Sequence, residues 1–156
     1  MPTFGIISDT HGRLPARVFD VFARVDLILH AGDIGDPDLL ADLAALAPVT
    51  AVYGNMDGAE WRARVEAEAV VREAGATIVL LHGHLLADQR ASTFRDAYPD
   101  ADVVVHGHTH EARIERHAVP WVLNPGSAGA PRRGEPPSVA ILRVEDGSLD
   151  ARIVPL

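Results

Sequence analysis

The sequence predicts an α/β fold, with residues 1–156 forming a single domain built on one mixed sheet or two packed sheets. Short runs of apolar, often β-branched residues are typical of buried strands. Amphipathic segments separate the first of these runs, which predicts parallel strands joined by right-handed helical crossovers. After Glu111 short strands follow one another, so we expect the second half of the chain to be rich in strands.

The first half is expected to alternate strands with helices, with strands at residues 3–8, 26–30 and 49–53. The first helix begins near Pro15 and has a buried apolar stripe, formed by Val18, Phe19 and Phe22. The second helix has Asp36 as its N-cap and Pro37 at its first position, and it ends before Pro48. Residues 58–64 form a short helix or a loop.

The second half begins with a hairpin, because Ala74-Gly75 separates an alternating segment at 67–72 from the apolar run at 76–81. A helix is predicted at 88–98, ended by Pro99, and a buried strand at 103–105. Asp146-Gly147 is a strong hairpin turn. The remaining strands are predicted at 112–116, 119–123, 138–144 and 150–154.

Composition excludes several classes of function. The chain has no cysteine, which removes disulfides, thiolate metal sites and cysteine nucleophiles. The formal net charge of −8 argues against a long basic groove for nucleic acid. No apolar stretch approaches the roughly 20 residues that span a bilayer, and no signal peptide is evident at the N-terminus. We therefore expect a cytoplasmic location and no membrane partner.

Metal-ligating residue types recur where the predicted strands end. Because the carboxyl ends of parallel strands line one crevice of an open α/β sheet, these side chains are expected to meet. Within residues 106–110, alternate histidines share one face of an extended backbone, so two imidazoles converge on one point. The strand-end residues are Asp9, His11, Asp33, Asn55, His82, His108 and His110.

These residues form a mixed set of oxygen and nitrogen ligands. Such a set suits a divalent transition metal better than Ca²⁺ or Mg²⁺; we expect Mn²⁺ first, with Ni²⁺, Co²⁺, Fe or Zn²⁺ as alternatives. The set is larger than one ion with an open coordination position would use. Two ions that share a carboxylate, about 3.5–4 Å apart, fit it better.

In their order and placement these motifs resemble those of the calcineurin-like metallophosphoesterases. The resemblance extends over nearly the whole chain, and Asn124-Pro125-Gly126-Ser127 is similar to a signature of the small, cap-less YfcE-type phosphodiesterase branch. It implies two packed mixed β-sheets flanked by helices. The segments that carry it are Asp9-Thr10-His11, Gly32-Asp33-Ile34-Gly35-Asp36, Gly54-Asn55-Met56-Asp57, His82-Gly83-His84 and Gly107-His108-Thr109-His110.

The resemblance also implies how the ligands are shared. One metal would be held by Asp9, His11, Asp33 and His110. The other would be held by Asp33, Asn55, His82 and His108, with Asp33 as the bridge and a bridging hydroxide as nucleophile. Asp33, Asn55 and His84 are the candidate catalytic residues.

Several neighbouring residues have open roles. His30 and His106 are expected to orient ligands or fill the core, and His84 either faces substrate or supports the ligands. Asp36 and Asp57 are expected to cap turns or to accept hydrogen bonds from ligand imidazoles. Arg132 and Arg133 either steer phosphate or lie in a solvated loop, and His117 is expected on the surface.

The sequence departs from the pattern of the wider family at the residue that donates a proton to the leaving group. Many members of the wider family have a histidine after the asparagine of the Gly-Asn motif, where it protonates the leaving group. Here the position is Met56, which has no proton to donate. The small branch commonly lacks this histidine too, so the general acid has no assigned residue.

The sequence thus predicts a binuclear metal-dependent phosphodiesterase for small phosphodiesters or nucleotides. The alternative is a non-catalytic, metal-binding protein-interaction module of the same fold. A metal-free serine hydrolase that uses Ser127 is disfavoured, because residues 126–129 do not form a nucleophile elbow. A small phosphoester is the expected partner, and self-association is a family-level expectation.

Overall fold

The computed structural model describes residues 1–156 and contains ten strands and four short helices. The strands are β1 (Thr3–Ile7), β2 (Leu27–His30), β3 (Val49–Ala51), β4 (Glu68–Glu73), β5 (Ala76–Leu81), β6 (Val103–Val105), β7 (Arg113–Glu115), β8 (Trp121–Asn124), β9 (Ser138–Glu145) and β10 (Ser148–Pro155). The helices are α1 (Arg17–Val21), α2 (Pro37–Ala44), α3 (Ala59–Arg62) and α4 (Ala91–Ala97).

The strands form two five-stranded sheets of mixed direction. The first has the order β10-β9-β1-β2-β3, with β1, β2 and β3 parallel and β9 and β10 antiparallel. The second has the order β4-β5-β6-β8-β7, with β5, β6 and β8 parallel and the two outer strands antiparallel. Two packed sheets are therefore the correct choice between the two predicted arrangements.

The largest apolar cluster lies between the sheets and takes residues from both. Side chains alternate along a strand, so Phe4 and Ile6 of β1 face this central core together with Ile78 and Leu80 of β5. The opposite face of the first sheet is covered by α1 and α2, and the outer face of the second sheet by α4. The protein is a single domain of four layers.

The N-cap prediction for α2 is confirmed, since the Asp36 side chain accepts a hydrogen bond from the Asp38 amide at 2.9 Å. Both remaining helices, predicted at 15–22 and 88–98, are present, but one detail of each is wrong. Phe19 is 38% exposed, because α1 has only five residues and turns that side chain away from the core contacts of Val18 and Phe22. The helix predicted at 88–98 begins only at Ala91, because the Asp88 carboxylate accepts hydrogen bonds from the Arg90 amide and the Thr93 hydroxyl.

None of the helices has the length and apolar character that crossing a membrane requires. The parallel strands of both sheets end at the same side of the molecule, which brings together the loops that follow β1, β2, β3, β5 and β6. Backbone hydrogen bonds join these loops in pairs. The His11 amide donates to the Asp33 carbonyl at 3.0 Å, and the Gly107 amide donates to the His82 carbonyl at 3.1 Å.

Candidate metal centre

The residues expected to bind metal adopt an uncommon backbone conformation. Asp9, His11, Asp33, His108 and His110 all have positive φ angles, between 47° and 74°. Non-glycine residues rarely occupy this left-handed region, and those that do cluster at functional sites. The conformation turns each side chain sharply at the end of its strand and directs it toward the space between the loops.

Each of the two carboxylates uses one oxygen to bind the protein and leaves the other free. Oδ2 of Asp9 accepts hydrogen bonds from the Ser8 hydroxyl at 2.7 Å and from the His108 amide at 3.1 Å. Oδ1 of Asp9 is buried and has no hydrogen-bond partner. Oδ1 of Asp33 accepts the Met56 amide at 2.9 Å, while Oδ2 faces the imidazoles. One oxygen of each carboxylate is therefore available to a cation.

Two of the imidazoles are oriented in the same way. Nδ1 of His82 lies 2.8 Å from the Ala31 carbonyl, and Nδ1 of His110 lies 2.6 Å from the Ala130 carbonyl. A carbonyl oxygen only accepts, so Nδ1 carries the proton in both rings. When the ring is neutral, Nε2 keeps its lone pair, and it points at the carboxylates, as in metal-ligating histidines.

The free atoms form two groups that share Asp9: Asp9, His11 and His110 in one, and Asp9, Asp33 and His82 in the other. Nε2 of His110 is 3.2 Å from Oδ1 of Asp9, and Nε2 of His82 is 3.3 Å from Oδ2 of Asp33. Oδ2 of Asp33 also lies 3.7 Å from Nε2 of His11, which places it between the two groups. Both carboxylates are thus in position to bridge.

Asn55 and His108 extend the second group. Oδ1 of Asn55 is 3.0 Å from Nε2 of His82 and 3.1 Å from Nδ1 of His108. All seven residues that the sequence analysis singled out as ligands therefore come together, although they come from five loops. His84 is more peripheral, with its ring centroid 5.4 Å from that of His82.

This arrangement fits divalent cations. Metal bonds to imidazole nitrogen and carboxylate oxygen are about 2.0–2.2 Å long, so neighbouring ligand atoms of one ion lie roughly 3–3.5 Å apart. Several of the separations above fall in this range. The unpartnered Oδ1 of Asp9 is the strongest sign of a fit, because a buried carboxylate oxygen without a partner is costly unless a cation binds it.

The protonation states of the ligand residues, taken without any metal, also favour binding of a cation. Burial raises the pKa of Asp9, but its contact with His110 and the charge of His82 outweigh burial and hold this pKa below its ordinary value. Burial lowers the pKa of His82, but its contact with Asp33 and the two negative charges raise it overall. The carboxylates thus remain charged, and positive charge is stabilised between them.

His30 and His106 support the ligand loops and do not join the cluster. Nδ1 of His30 accepts the Gly32 amide at 3.2 Å, so Nε2 donates to the Thr10 hydroxyl at 3.0 Å. In His106, Nδ1 donates to the Gly107 carbonyl at 2.9 Å, and Nε2 accepts from Arg113 at 2.8 Å. Burial lowers the pKa of each histidine to about 3, so both rings are neutral.

The expected hydrogen bonds from ligand imidazoles to Asp36 and Asp57 are absent. Asp57 instead accepts the backbone amides of Ile34, Gly35 and Gly54, at 2.8 to 3.2 Å, and so holds two ligand loops together. Asp36 only caps α2. Asp36 and Asp57 therefore cap turns, which was the alternative prediction for them. Backbone amides, and no imidazole, lie within hydrogen-bond distance of their carboxylates.

Sequence reasoning missed several supporting residues. Ser127 is buried; its hydroxyl donates to the Asp9 carbonyl at 2.7 Å and accepts the Ala130 amide, which removes it as a nucleophile. Asn124 donates to the Gly107 carbonyl at 3.1 Å and to the Thr109 hydroxyl at 3.0 Å. Asn124 and Ser127 belong to segment 124–127, which carried part of the family resemblance without giving either residue a role, and no sequence signal distinguished Ser8 from an ordinary serine.

The remaining candidates lie around the rim of the centre. The Met56 side chain is 70% exposed, and His117 is exposed as expected. Arg132 donates to the Thr109 carbonyl at 2.8 Å and lies 3.6 Å from Glu111. Arg132 thus braces the loop that carries His108 and His110, and a carboxylate offsets its charge.

Comparison with known proteins gives a consistent result. The family model for the calcineurin-like phosphoesterase superfamily domain matches residues 3–147. A probable metallophosphoesterase of Methanothermobacter thermautotrophicus is 38% identical, over 96% of this chain and 90% of its own length. Phosphodiesterase YfcE of Escherichia coli K12 is 30% identical, over 86% of this chain and 84% of its own length.

The fold is also shared with solved structures. Vps29 of Entamoeba histolytica, solved in complex with Zn²⁺, superposes with a TM-score of 0.82 at 22% identity and covers 98% of each chain. At this identity the likeness shows the fold alone. The family resemblance predicted from the sequence motifs, and the two-sheet architecture it implied, are confirmed.

Proposed function

Since the chain belongs to the calcineurin-like phosphoesterase superfamily, we propose that it is a phosphodiesterase that uses two divalent transition metal ions to hydrolyse small phosphodiesters or nucleotides. The observation that carries the proposal is the pair of free carboxylate oxygens on Asp9 and Asp33. They lie among imidazole nitrogens that form two groups. Phosphodiesterase YfcE, among the relatives, supports the choice of a diester.

Each ligand has a defined task in this proposal. Asp9, His11, Asp33 and His110 would hold one ion, and Asp33, Asn55, His82 and His108 the other. Two cations bound in this way would activate water and neutralise charge on the phosphoryl group. We propose Mn²⁺ first, with Ni²⁺, Co²⁺, Fe or Zn²⁺ as alternatives.

The protein limits how these ligands move. Oδ2 of Asp9 and Oδ1 of Asp33 are held by backbone amides, so each carboxylate has little freedom to rotate away from its ion. The carbonyl contacts of His82 and His110 fix their ring orientation. Rigid ligands of this kind are expected to keep the reacting groups aligned without reorganisation during the reaction.

The site is open to solvent on one side. Asp9 and His82 are fully buried, whereas Asn55 is exposed and His11, His108 and His110 are partly exposed. Substrate is therefore expected to approach from the Asn55 side, where no cap covers the centre. An open site supports a broad range of small phosphoesters, and a net charge of −8 gives no basic groove for long nucleic acid.

The proposal is tested by metal analysis together with substrate screening. Purified protein is expected to bind two equivalents of metal and to cleave bis-p-nitrophenyl phosphate. Asp33→Asn removes one bridging charge and should lower both metal occupancy and rate by orders of magnitude. Asn55→Ala should chiefly empty one site. Full activity with a single bound equivalent would contradict the two-metal assignment.

A second candidate function is a metal-binding interaction module without catalysis, favoured by the shared fold with Vps29 in complex with Zn²⁺. Both candidates use the metal ligands, but the exposure of the centre on the Asn55 side, where substrate can reach it, supports catalysis. Protein that binds metal tightly but cleaves none of the monoesters, diesters and nucleotides tested with Mn²⁺, Ni²⁺, Co²⁺ or Zn²⁺ would favour the scaffold.

A further inference from the structure

A row of three side chains leads away from the metal centre on the His82 side. The His84 ring lies 5.4 Å from His82 and 6.2 Å from the Tyr53 ring, measured between centroids. The guanidinium carbon of Arg62 then lies 5.6 Å from the centroid of Tyr53. His84, Tyr53 and Arg62 are together called the outer subsite. It begins beside the ligands and ends at an exposed positive charge.

Arg62 is held in place by its surroundings although it is exposed. Its guanidinium stacks on Tyr53, and the preceding residue, Trp61, is 2% exposed and donates through Nε1 to the Gly35 carbonyl at 3.1 Å. Helix α3 is therefore fixed to the loop that carries Asp33. Cation–π stacking of this kind restricts a long side chain while leaving its N–H groups free.

The charge of Arg62 is not offset by the protein. Arg62 makes no ion pair with a carboxylate, whereas Arg132, beside the loop of His108 and His110, lies 3.6 Å from Glu111. Most arginines of the chain lack an ion pair, so what distinguishes Arg62 is that its stacking on Tyr53 holds the charge beside His84 and the ligand cluster. An arginine fork matches the oxygens of a phosphate and binds them by charge-assisted hydrogen bonds.

His84 links this charge to the centre. Neither of its ring nitrogens has a hydrogen-bond partner in the protein, and Nδ1 is buried. Nδ1 is closed off from solvent, but the ring is partly exposed, so the unbonded Nε2 beside the ligands is available to a polar atom of a bound molecule. The outer subsite therefore offers a polar ring next to the cluster and a cation beyond it.

We propose that the outer subsite binds a second phosphate of the substrate, next to the phosphodiester that is cleaved. This proposal rests on the proposed function and narrows its substrate class to diesters such as dinucleotides that carry a terminal phosphate. His84 contacts the segment between the two phosphates, and Arg62 contacts the second one. No covalent step is assigned to either residue.

The test uses a thymidine dinucleotide with no terminal phosphate, with a 5′-phosphate or with a 3′-phosphate. With metal-loaded enzyme, kcat/KM is expected to be about 10-fold higher for one phosphorylated form, since charged hydrogen bonds contribute a factor of this order or more. Arg62→Ala should reduce this ratio to about 2-fold or less, and Arg62→Lys should keep part of it.

Arg64→Ala is the matched control. Arg64 is exposed two residues away and stacks on Trp61 at 5.9 Å, outside the outer subsite, so this variant should keep the full ratio. A direct readout is the Kd of phosphorothioate-linked forms of the same dinucleotides, measured by calorimetry. Arg62→Ala should weaken binding only of the form with the terminal phosphate.

The possible results distinguish failure of the outer subsite from failure of the proposed phosphodiesterase function. Cleavage of diesters without a preference for a terminal phosphate, or with a preference that survives Arg62→Ala, overturns the outer subsite alone. Failure to cleave any dinucleotide or aryl diester under any of the tested metals overturns the proposed function as well. A preference lost in Arg62→Ala and kept in Arg64→Ala supports the outer subsite.

Discussion

At the scale of single residues, the chemistry of the centre depends on which atom of each polar side chain remains free. The other atom of that side chain already forms a hydrogen bond within the protein. Asp9 and Asp33 each give one oxygen to backbone amides, and His82 and His110 each give Nδ1 to a carbonyl. The atoms that remain point at one another across 3.2 to 3.9 Å. Because each group is held by its other atom, the site is preorganised for cations.

Met56 leads to a prediction about the esters that this protein can cleave. Its side chain is exposed beside Asn55 and cannot donate a proton, while a positioned general acid contributes roughly 10²–10⁴-fold. Rates are therefore expected to fall steeply as the pKa of the leaving group rises, and aryl diesters should be favoured over alkyl diesters. Met56→His should flatten this dependence.

The measurement is a leaving-group series on both proteins. Poor leaving groups should gain more from Met56→His than good ones. Identical slopes for the two proteins would mean that the proton comes from another group, and the same series on His84→Ala would then test the imidazole that lies beside the ligand set.

At the scale of elements, the ligands are held by loops that pack against one another without spare room. A Cβ on Gly107 would overlap the Ser8 hydroxyl and crowd Oδ2 of Asp9, and a Cβ on Gly54 would overlap Oδ1 of Asp33. These glycines allow the loops after β3 and β6 to approach the carboxylates. The glycines beside the motif residues are therefore required by contact between elements.

Gly107→Ala is expected to displace Asp9 and to lower metal affinity and activity by at least an order of magnitude. It should also cost about 1–3 kcal/mol in the free energy of unfolding of metal-free protein, as overpacking usually does. Calorimetric metal titration and urea unfolding measure the two effects. Gly58→Ala is the control, since a Cβ there meets nothing within 4 Å; it should keep the metal affinity and, because Gly58 is the N-cap of α3, lower the free energy of unfolding by only about 0.5–1 kcal/mol.

At the scale of the whole molecule, the two sheets have different relations to the centre. The first sheet supplies Asp9, His11, Asp33 and Asn55, and the second supplies His82, His108 and His110. The central core that joins the sheets contains fifteen buried apolar residues and no metal ligand. The fold therefore has a source of stability that is separate from the ligand cluster.

Removal of metal is accordingly expected to abolish activity and to leave the fold intact. After treatment with chelator, the far-ultraviolet circular dichroism and a cooperative thermal transition should persist, with a lower Tm because ligands that bind only the folded state stabilise it. Activity should return when divalent metal is added. Loss of the transition on chelation would show instead that the metals are structural.

The buried His30 predicts how the stability of the metal-free protein depends on pH. Burial lowers its pKa from 6.5 to about 3; the charges of Asp9 and Asp33 act to raise this pKa, and those of His82 and His11 lower it further. The unfolded chain therefore binds a proton that the folded chain rejects. The stability contributed by neutral His30 is present above pH 6.5 and is lost progressively as the pH falls toward 3.

Urea unfolding of metal-free protein at several pH values between 7 and 4 measures this effect. His30→Gln removes the titrating group, so the fall in the free energy of unfolding should be shallower than in the wild type. His117→Gln is the matched control, because His117 is exposed, and it should keep the wild-type slope. Equal slopes in all three proteins would contradict the role of His30.

The sequence by itself determined the strands, the two helices of the first half and the residues that meet at the centre. Apolar runs with period two place side chains on defined faces, and parallel strands end at one edge, so Asp9, Asp33 and His82 were predictable as neighbours. Two details were not predicted, because local hydrogen bonds and helix length decided them. Phe19 lies in a helix of only five residues, and the Asp88 carboxylate binds the Arg90 amide and the Thr93 hydroxyl, so α4 begins later.

Only the tertiary structure decided which atom of each ligand is free and what surrounds the centre. The choice between the two oxygens of Asp9 depends on the His108 amide, 99 residues away along the chain. The position of Arg62 over Tyr53 depends on Trp61 reaching the loop after β2. Such contacts arise from left-handed turns and from packing between distant loops. Hydrophobic periodicity does not reveal them, because it indicates which face of a strand or helix a residue occupies and not which distant group that residue contacts.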